Sequence, residues 1–146
     1  SVAALNLLRL SLMTDNKEWR TLAENTFAAF GERLKKYPEV APQMLVALEW
    51  SLSTPKEIII AGNASSNDTK ALLNEMHRRF IPNKVVLLLD NTVSRRRINE
   101  LLPFTAGMNK LDGKATVYIC ENQACQLPTS DPAVVRRLLD DKHLTN

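Results

Sequence analysis

The sequence predicts a mixed α and β fold. A helical hairpin segment occupies residues 1–54, and a small three-stranded parallel α/β unit, Rossmann-like in kind, occupies residues 55–146. Three observations predict it. Apolar residues recur at three- and four-residue steps as far as Leu52. The period changes after the break at residues 53–56, STPK. Three short runs then follow, at residues 57–61, 84–90 and 115–120, each apolar on both parities and each separated from the next by a helical pattern. Strands buried on both faces and alternating with helices imply parallel pairing through right-handed crossovers.

The elements follow in order. Residues 1–13 carry two apolar stripes, Val2, Leu5, Leu8 and Leu12 on one side and Ala4, Leu7 and Leu10 on another. A helix apolar on two sides is buried on two sides, so a partner layer beyond this chain is expected. Thr14 or Asp15 is the expected cap of a second helix running to about Lys36. Its inward face is Trp19, Leu22, Ala23, Thr26, Phe27, Phe30 and Leu34, read as core rather than as a ligand wall. Tyr37-Pro38 stops it. Pro42 opens a third helix with Met44, Leu45, Leu48 and Leu52 as its stripe.

After the first strand, residues 62–68 form a polar turn in which Ser65 and Asp68 have capping-box spacing. A helix follows over 67–80, with Leu72, Leu73, Met76 and Phe80 inward. The second strand reads as fully buried. A short helix then ends before Pro103, and a link over 104–114 carries an Asp112-Gly113 turn. Asp131 and Pro132 are the cap and first position of a last helix over 132–141.

Composition bounds the function. The net charge of +3, from 19 basic and 16 acidic residues, is too small to argue for nucleic acid. Two cysteines make no disulfide framework, so a reducing, cytoplasmic location is expected. No apolar run approaches the roughly 20 residues that span a bilayer, and no membrane partner is expected. The chain opens without Met, directly in a helical pattern, as a cut piece of something longer would.

In an open parallel sheet, ligands sit beyond the carboxyl ends of the strands. That rim would gather Gly62, Asn63, Ser65 and Ser66 from the first loop, Asp90, Asn91, Thr92 and Ser94 from the second, and Glu121, Asn122, Cys125, Thr129 and Asp131 from the third. Asn63, Asn91 and Asn122 are expected on one common rim. The plainer alternative is that these side chains cap helices, as loop residues of any α/β unit do. Residues 62–66, GNASS, have one glycine and neither dinucleotide nor Walker spacing, so no cofactor is expected.

Cys120 and Cys125 are redox candidates, but four residues separate them where redox dithiols usually have two. The favoured reading is two free thiols, Cys120 buried and Cys125 half-buried, with a reversible disulfide as the alternative. His77 and His143 lack paired spacing, so no metal site is expected. Arg95, Arg96 and Arg97 fall in the first turn of a helix, where they oppose its dipole. With His77, Arg78, Arg79 and Lys84 they form a candidate basic patch that lacks the interleaved aromatics of a nucleic-acid surface. No complete catalytic triad can be assembled. Glu49 beside Trp50 suits a sugar, though one carboxylate is not the pair that glycoside hydrolysis uses.

Four segments, SVAALNLLRL, YPEVAPQMLVALEW, EIIIAGN and LLPFTAGMNKLDGKATVYICENQACQLPTSDP, occur in this order. They resemble the carboxyl-terminal part of the YyaL-type proteins, bacterial relatives of the spermatogenesis-associated thioredoxin-like proteins. The resemblance covers nearly the whole chain, and ATVYICENQACQLPTSDP is its most specific piece. It implies a longer protein with an amino-terminal thioredoxin-like domain and an α/α toroid, similar to N-acylglucosamine 2-epimerase and the six-hairpin glycosidases. Residues 1–54 would be the last toroid helices, and residues 55–146 the terminal α/β unit. Cys120 and Cys125 match the family's terminal cysteine loop, not its thioredoxin motif. The expected function is a non-catalytic carboxyl-terminal module that closes the toroid and offers a ligand or partner site at the strand-end loops. The alternatives are a share in a sugar-processing, epimerase-like active site and a thiol redox role for Cys120 and Cys125. The expected partner is the remainder of the longer protein, with another copy of the chain as a candidate for the apolar helix face.

Overall fold

The computed structural model describes residues 1–140, with Thr92 described by its backbone alone. The chain divides into two compact units, Ser1–Pro55 and the chain from Lys56 onward. It is mixed α and β. No helix among the described residues is long and apolar enough to cross a membrane.

The first unit holds α1 (Val2–Thr14), α2 (Lys17–Lys36), a 3-10 turn at Pro38–Val40 and α3 (Pro42–Leu52). α1 packs against both other helices. The seams bury Ala4, Leu5 and Leu8 of α1, Ala23 and Leu34 of α2, and Met44, Ala47 and Trp50 of α3. The guanidinium of Arg9 lies over the Trp50 ring, 5.2 Å from its centre. The cap of α2 is Asn16, whose Oδ1 accepts the Glu18 N–H at 2.9 Å. Neither Thr14 nor Asp15 serves, because Asp15 is spent in the left-handed conformation that ends α1. Leu22, Phe30, Leu45 and Leu52, expected inside, are exposed. The apolar stripes of α2 and α3 are wider than the seams that three helices provide, and the excess is left outside.

The second unit holds β1 (Lys56–Ala61), α4 (Asn67–His77), β2 (Lys84–Leu89), α5 (Thr92–Leu101), a 3-10 turn at Pro103–Gly107, β3 (Thr116–Glu121), β4 (Ala124–Cys125) and α6 (Pro132–Asp140). The sheet order is β2-β1-β3-β4. β1 and β2 are parallel, with Ile58 opposite Val86 and α4 as their crossover. β3 runs antiparallel to β1, with Ile58 opposite Ile119. The expected all-parallel sheet is therefore corrected to a mixed one. The link after α5 returns the chain to the end where β1 finishes, so β3 starts where β1 stops. A run apolar on both faces reads the same in either direction, so its composition does not encode its sense.

β4 is a strand that the sequence did not lead us to expect. Asn122 (φ 50) and Gln123 (φ 65) form a two-residue turn with both residues left-handed. Glu121 then faces Ala124, and Cys120 faces Cys125. One side of the sheet packs Ile58, Ile60, Val117 and Ile119 on Leu72, Met76, Val135 and Leu139 of α4 and α6. The other side packs Ile59, Leu89 and Cys120 with Met108, joined by Leu87, Ile98 and Tyr118. β2 was expected to be fully buried, but only its Leu89 is, because β2 is an edge strand. Phe80 is 93% exposed, since α4 ends before it.

Candidate functional site

The parallel pair brings the loops after β1 and β2 to one rim, and backbone and side-chain bonds lock them together. Gly62 N–H donates to Leu89 O at 3.2 Å. Ala64 N–H donates to Asp90 Oδ1 at 2.9 Å. Asn63 Oδ1 accepts from the Ser65 N–H and hydroxyl, at 2.9 and 2.5 Å. The Ser66 hydroxyl donates to Asn63 O at 2.8 Å. Asn91 Oδ1 accepts the N–H groups of Val93 and Ser94, at 3.1 and 3.0 Å, and so caps α5. Asn63, Ser65, Ser66, Asp90 and Asn91 thus share a rim, and each has a role in shaping its loop.

β3 begins at this same rim, because Thr116 stands opposite Ala61. Asp68 joins the two. Its Oδ1 accepts the Thr69 N–H and its Oδ2 the Ala115 N–H, both at 2.8 Å. The Ser66 hydroxyl, then the Ala115 and Thr69 N–H groups, hold this carboxyl down at about 2. Thr129 returns to the rim through a reciprocal pair with Val117, at 2.8 and 3.1 Å. Asp131 Oδ1 then accepts the Ala133 N–H at 2.8 Å, at the start of α6.

An open cleft of about 480 Å³ lies here, lined by Leu111, Asp112, Lys114, Pro128, Thr129, Ser130 and Asp131. Of the sequence candidates Thr129 and Asp131 line it. Lys114 was missed because the loop after β3, not the one before it, was expected at this rim. The Asp112-Gly113 turn, closed by the Leu111–Lys114 bridge, was the available signal.

Glu121, Asn122 and Cys125 lie at the opposite rim, so the expected common rim of three asparagines does not form. The reversal of β3 is the reason: Cys120 stands opposite Glu57, near the start of β1. There the Lys56 ammonium pairs with the Glu121 carboxylate, both side chains only 12% exposed. Cys120 and Cys125 are joined by a disulfide, their Cα atoms 3.9 Å apart. The favoured reading of two free thiols is therefore corrected. A two-residue turn makes positions 120 and 125 direct cross-strand neighbours, which the spacing alone did not reveal. Cys120 is 3% exposed, whereas Cys125 is exposed.

The arginines do not form one free cluster. α5 begins at Thr92, so Arg95, Arg96 and Arg97 fall beyond its first turn rather than within it. Arg95 Nη2 donates to Met108 O and, at 2.9 Å, to Asn109 Oδ1. Arg96 stands 3.9 Å from Glu100, and Arg97 is exposed. Arg79 is held by Glu75 at 2.9 Å and Asp140 at 2.7 Å, and Arg136 reaches the same Glu75 at 3.1 Å. Arg136 first, then Arg79, lower the Glu75 pKa against the opposing effect of its burial. Lys84 donates to Met76 O at 3.0 Å, and burial lowers its pKa. Trp50 is buried while Glu49 is exposed, so the two present different faces of α3. His143 lies outside the described residues.

No family model and no solved structure matches the chain. Four curated proteins do match. Spermatogenesis-associated protein 20 of Homo sapiens is 42% identical over 139 residues, and that of Mus musculus 41% identical over the same length. An uncharacterized protein of Caenorhabditis elegans is 28% identical over 131 residues. The human match covers 95% of this chain but only 18% of the relative, so the chain spans less than a fifth of the length of the mammalian proteins it matches. The chain is thus similar, along nearly all of its length, to one short part of spermatogenesis-associated protein 20.

Proposed function

We propose that the chain works as a non-catalytic, carboxyl-terminal module of a longer protein, its residues 1–54 completing a toroid of paired helices and its residues 55–146 forming the terminal α/β unit. The observation that carries this reading is the lopsided match, 95% of the chain against 18% of the relative. The first unit supports it. Leu22, Phe30, Leu45, Val46 and Leu52 stand exposed on α2 and α3. Further helices of the same protein would bury them. Among the described residues Arg9 Nε is buried without an acceptor, as expected where a neighbouring helix supplies one. The candidates at the polar rim are engaged in caps and turns, which argues against a catalytic role for them.

The test compares Leu22→Ser/Phe30→Ser in the longer protein and in the 146-residue chain. The longer protein should lose clear thermal stability, while the short chain changes by about 0.5 kcal/mol or less, as surface substitutions do. Hydrophobic-dye binding by the short chain should fall. Equal losses in both, or none in either, would sink the reading. A concentration-dependent dimer of the short chain, broken by the same substitutions, would make a second copy the cover instead.

One observation favours a second reading, a thiol role for Cys120 and Cys125: the two sulfurs are bonded, and only one of the two residues is buried. In the reducing, cytoplasmic setting that the cysteine count favours, disulfides are usually transient and redox-linked.

A further inference from the structure

The hairpin of β3 and β4 presents its disulfide unevenly. Cys120 is buried among Ile59, Leu89 and Met108 on one face of the sheet. Cys125 is exposed on a strand of only two residues at the sheet edge. Exchange begins with a thiolate reaching a sulfur, and access decides which sulfur it reaches.

The bond also does little as a staple. The cysteines are five positions apart, and the gain from a cross-link is smallest where the closed loop is shortest. The turn inside that loop places Asn122 and Gln123 in the left-handed region, which side chains other than glycine enter at a cost. Opening the bond lets this tip relax. It does not free the segment that follows. Gln126 N–H donates to Ile119 O at 2.8 Å, and Thr129 pairs with Val117 in both directions. The hairpin can therefore open and reclose while the core strands stay in place.

We propose that Cys120–Cys125 is a thiol–disulfide exchange site for small thiols, with Cys125 the sulfur attacked and Cys120 the sulfur released. It rests on the thiol reading above and assigns the roles within it. An incoming thiolate bonds to Cys125 Sγ as the Sγ–Sγ bond breaks, and the electron pair leaves on Cys120, which takes a proton from water. A second thiolate attacks the sulfur of the first thiol in the mixed disulfide, releasing Cys125 as thiolate and a small disulfide as product. The two electrons that reduce the protein come from the two thiols, which end oxidised. The reverse sequence, with a small disulfide as oxidant, recloses the bond.

The test uses the 146-residue chain and reduced glutathione. Brief incubation, acid quench, alkylation with iodoacetamide under denaturing conditions and fragment mass spectrometry locate the two adducts. Glutathione should be on Cys125 and the alkyl group on Cys120, in at least tenfold excess over the reverse. Equal amounts, or glutathione on Cys120, would overturn the assignment of roles while leaving the thiol reading standing. A bond that glutathione never opens under native conditions, yet opens once the chain is denatured, would overturn both. A second measurement uses Cys120→Ser and Cys125→Ser with an aromatic disulfide reagent. The thiol left in Cys120→Ser should react at least tenfold faster than the one left in Cys125→Ser, and equal rates would count against the assignment.

Discussion

Gly62 shows how much a single missing side chain can set. It directly follows β1, at the head of the loop that leads into α4, and a Cβ placed there would collide with the Thr69 side chain and come within 3.1 Å of the Ala115 Cβ. Both neighbours are buried, so neither can step aside cheaply. Gly62→Ala should cost about 1–3 kcal/mol, the usual range for overpacking. Urea denaturation followed by circular dichroism will measure it, and an unchanged midpoint would show that the loop has room to spare. At this scale the sequence was legible where the signal is local. The Asp112-Gly113 turn and the Asp131 cap needed only neighbouring residues to be read. The Asn122-Gln123 turn hid because glutamine stands where glycine usually marks such a turn.

Between elements, Asp68 is the joint that matters at the polar rim. It lies in the first turn of α4 and accepts the N–H just before β3. Its carboxyl, held at about 2 when folded, returns to its ordinary value when the chain unfolds. A group depressed in this way stabilises the fold above its unfolded value, and that contribution is lost as pH falls through the folded value. Asp68→Asn should therefore melt at a lower temperature than the parent at neutral pH, and the gap should close as pH drops from about 4 towards 2. Glu75 and Asp140, also lowered by their arginines, lose their contributions under acid in both proteins, so the difference between the curves isolates Asp68. A gap that stayed constant with pH would remove the charge from the account. The direction of β3 was the element-level failure. Helices and strands were visible in the pattern, but the sense of a doubly apolar strand depends on where its link lands, and a link folds by contacts distant in sequence. That one reversal took Glu121 and Asn122 away from the expected rim and brought Lys114 to it.

Across the whole molecule, the two units differ in how completely they use their apolar residues. The second closes a core around Ile58, Ile60, Val117, Ile119, Leu72, Met76 and Val135, none more than 2% exposed. Ile60→Ala should cost about 2–5 kcal/mol in urea denaturation, and a smaller loss would mean that the cavity it leaves collapses. The first unit leaves large apolar side chains of all three helices in solvent. This excess was readable from the start as an apolar pattern wider than any one partner needs, and it agrees with a chain matching under a fifth of its relatives. Which side chains stay uncovered was not readable, because that depends on which of several stripes wins the seam.

The backward run of β3 has a practical side. Its six residues set the polar cleft and the cysteine hairpin roughly 20 Å apart, at about 3.3 Å per residue, on facing ends of one ladder. A fluorophore attached at Gln123 would sense sulfur chemistry beside it and stay clear of anything docking near Lys114. A probe near Lys114 would do the converse. One short protein can in this way carry two reporters whose signals separate.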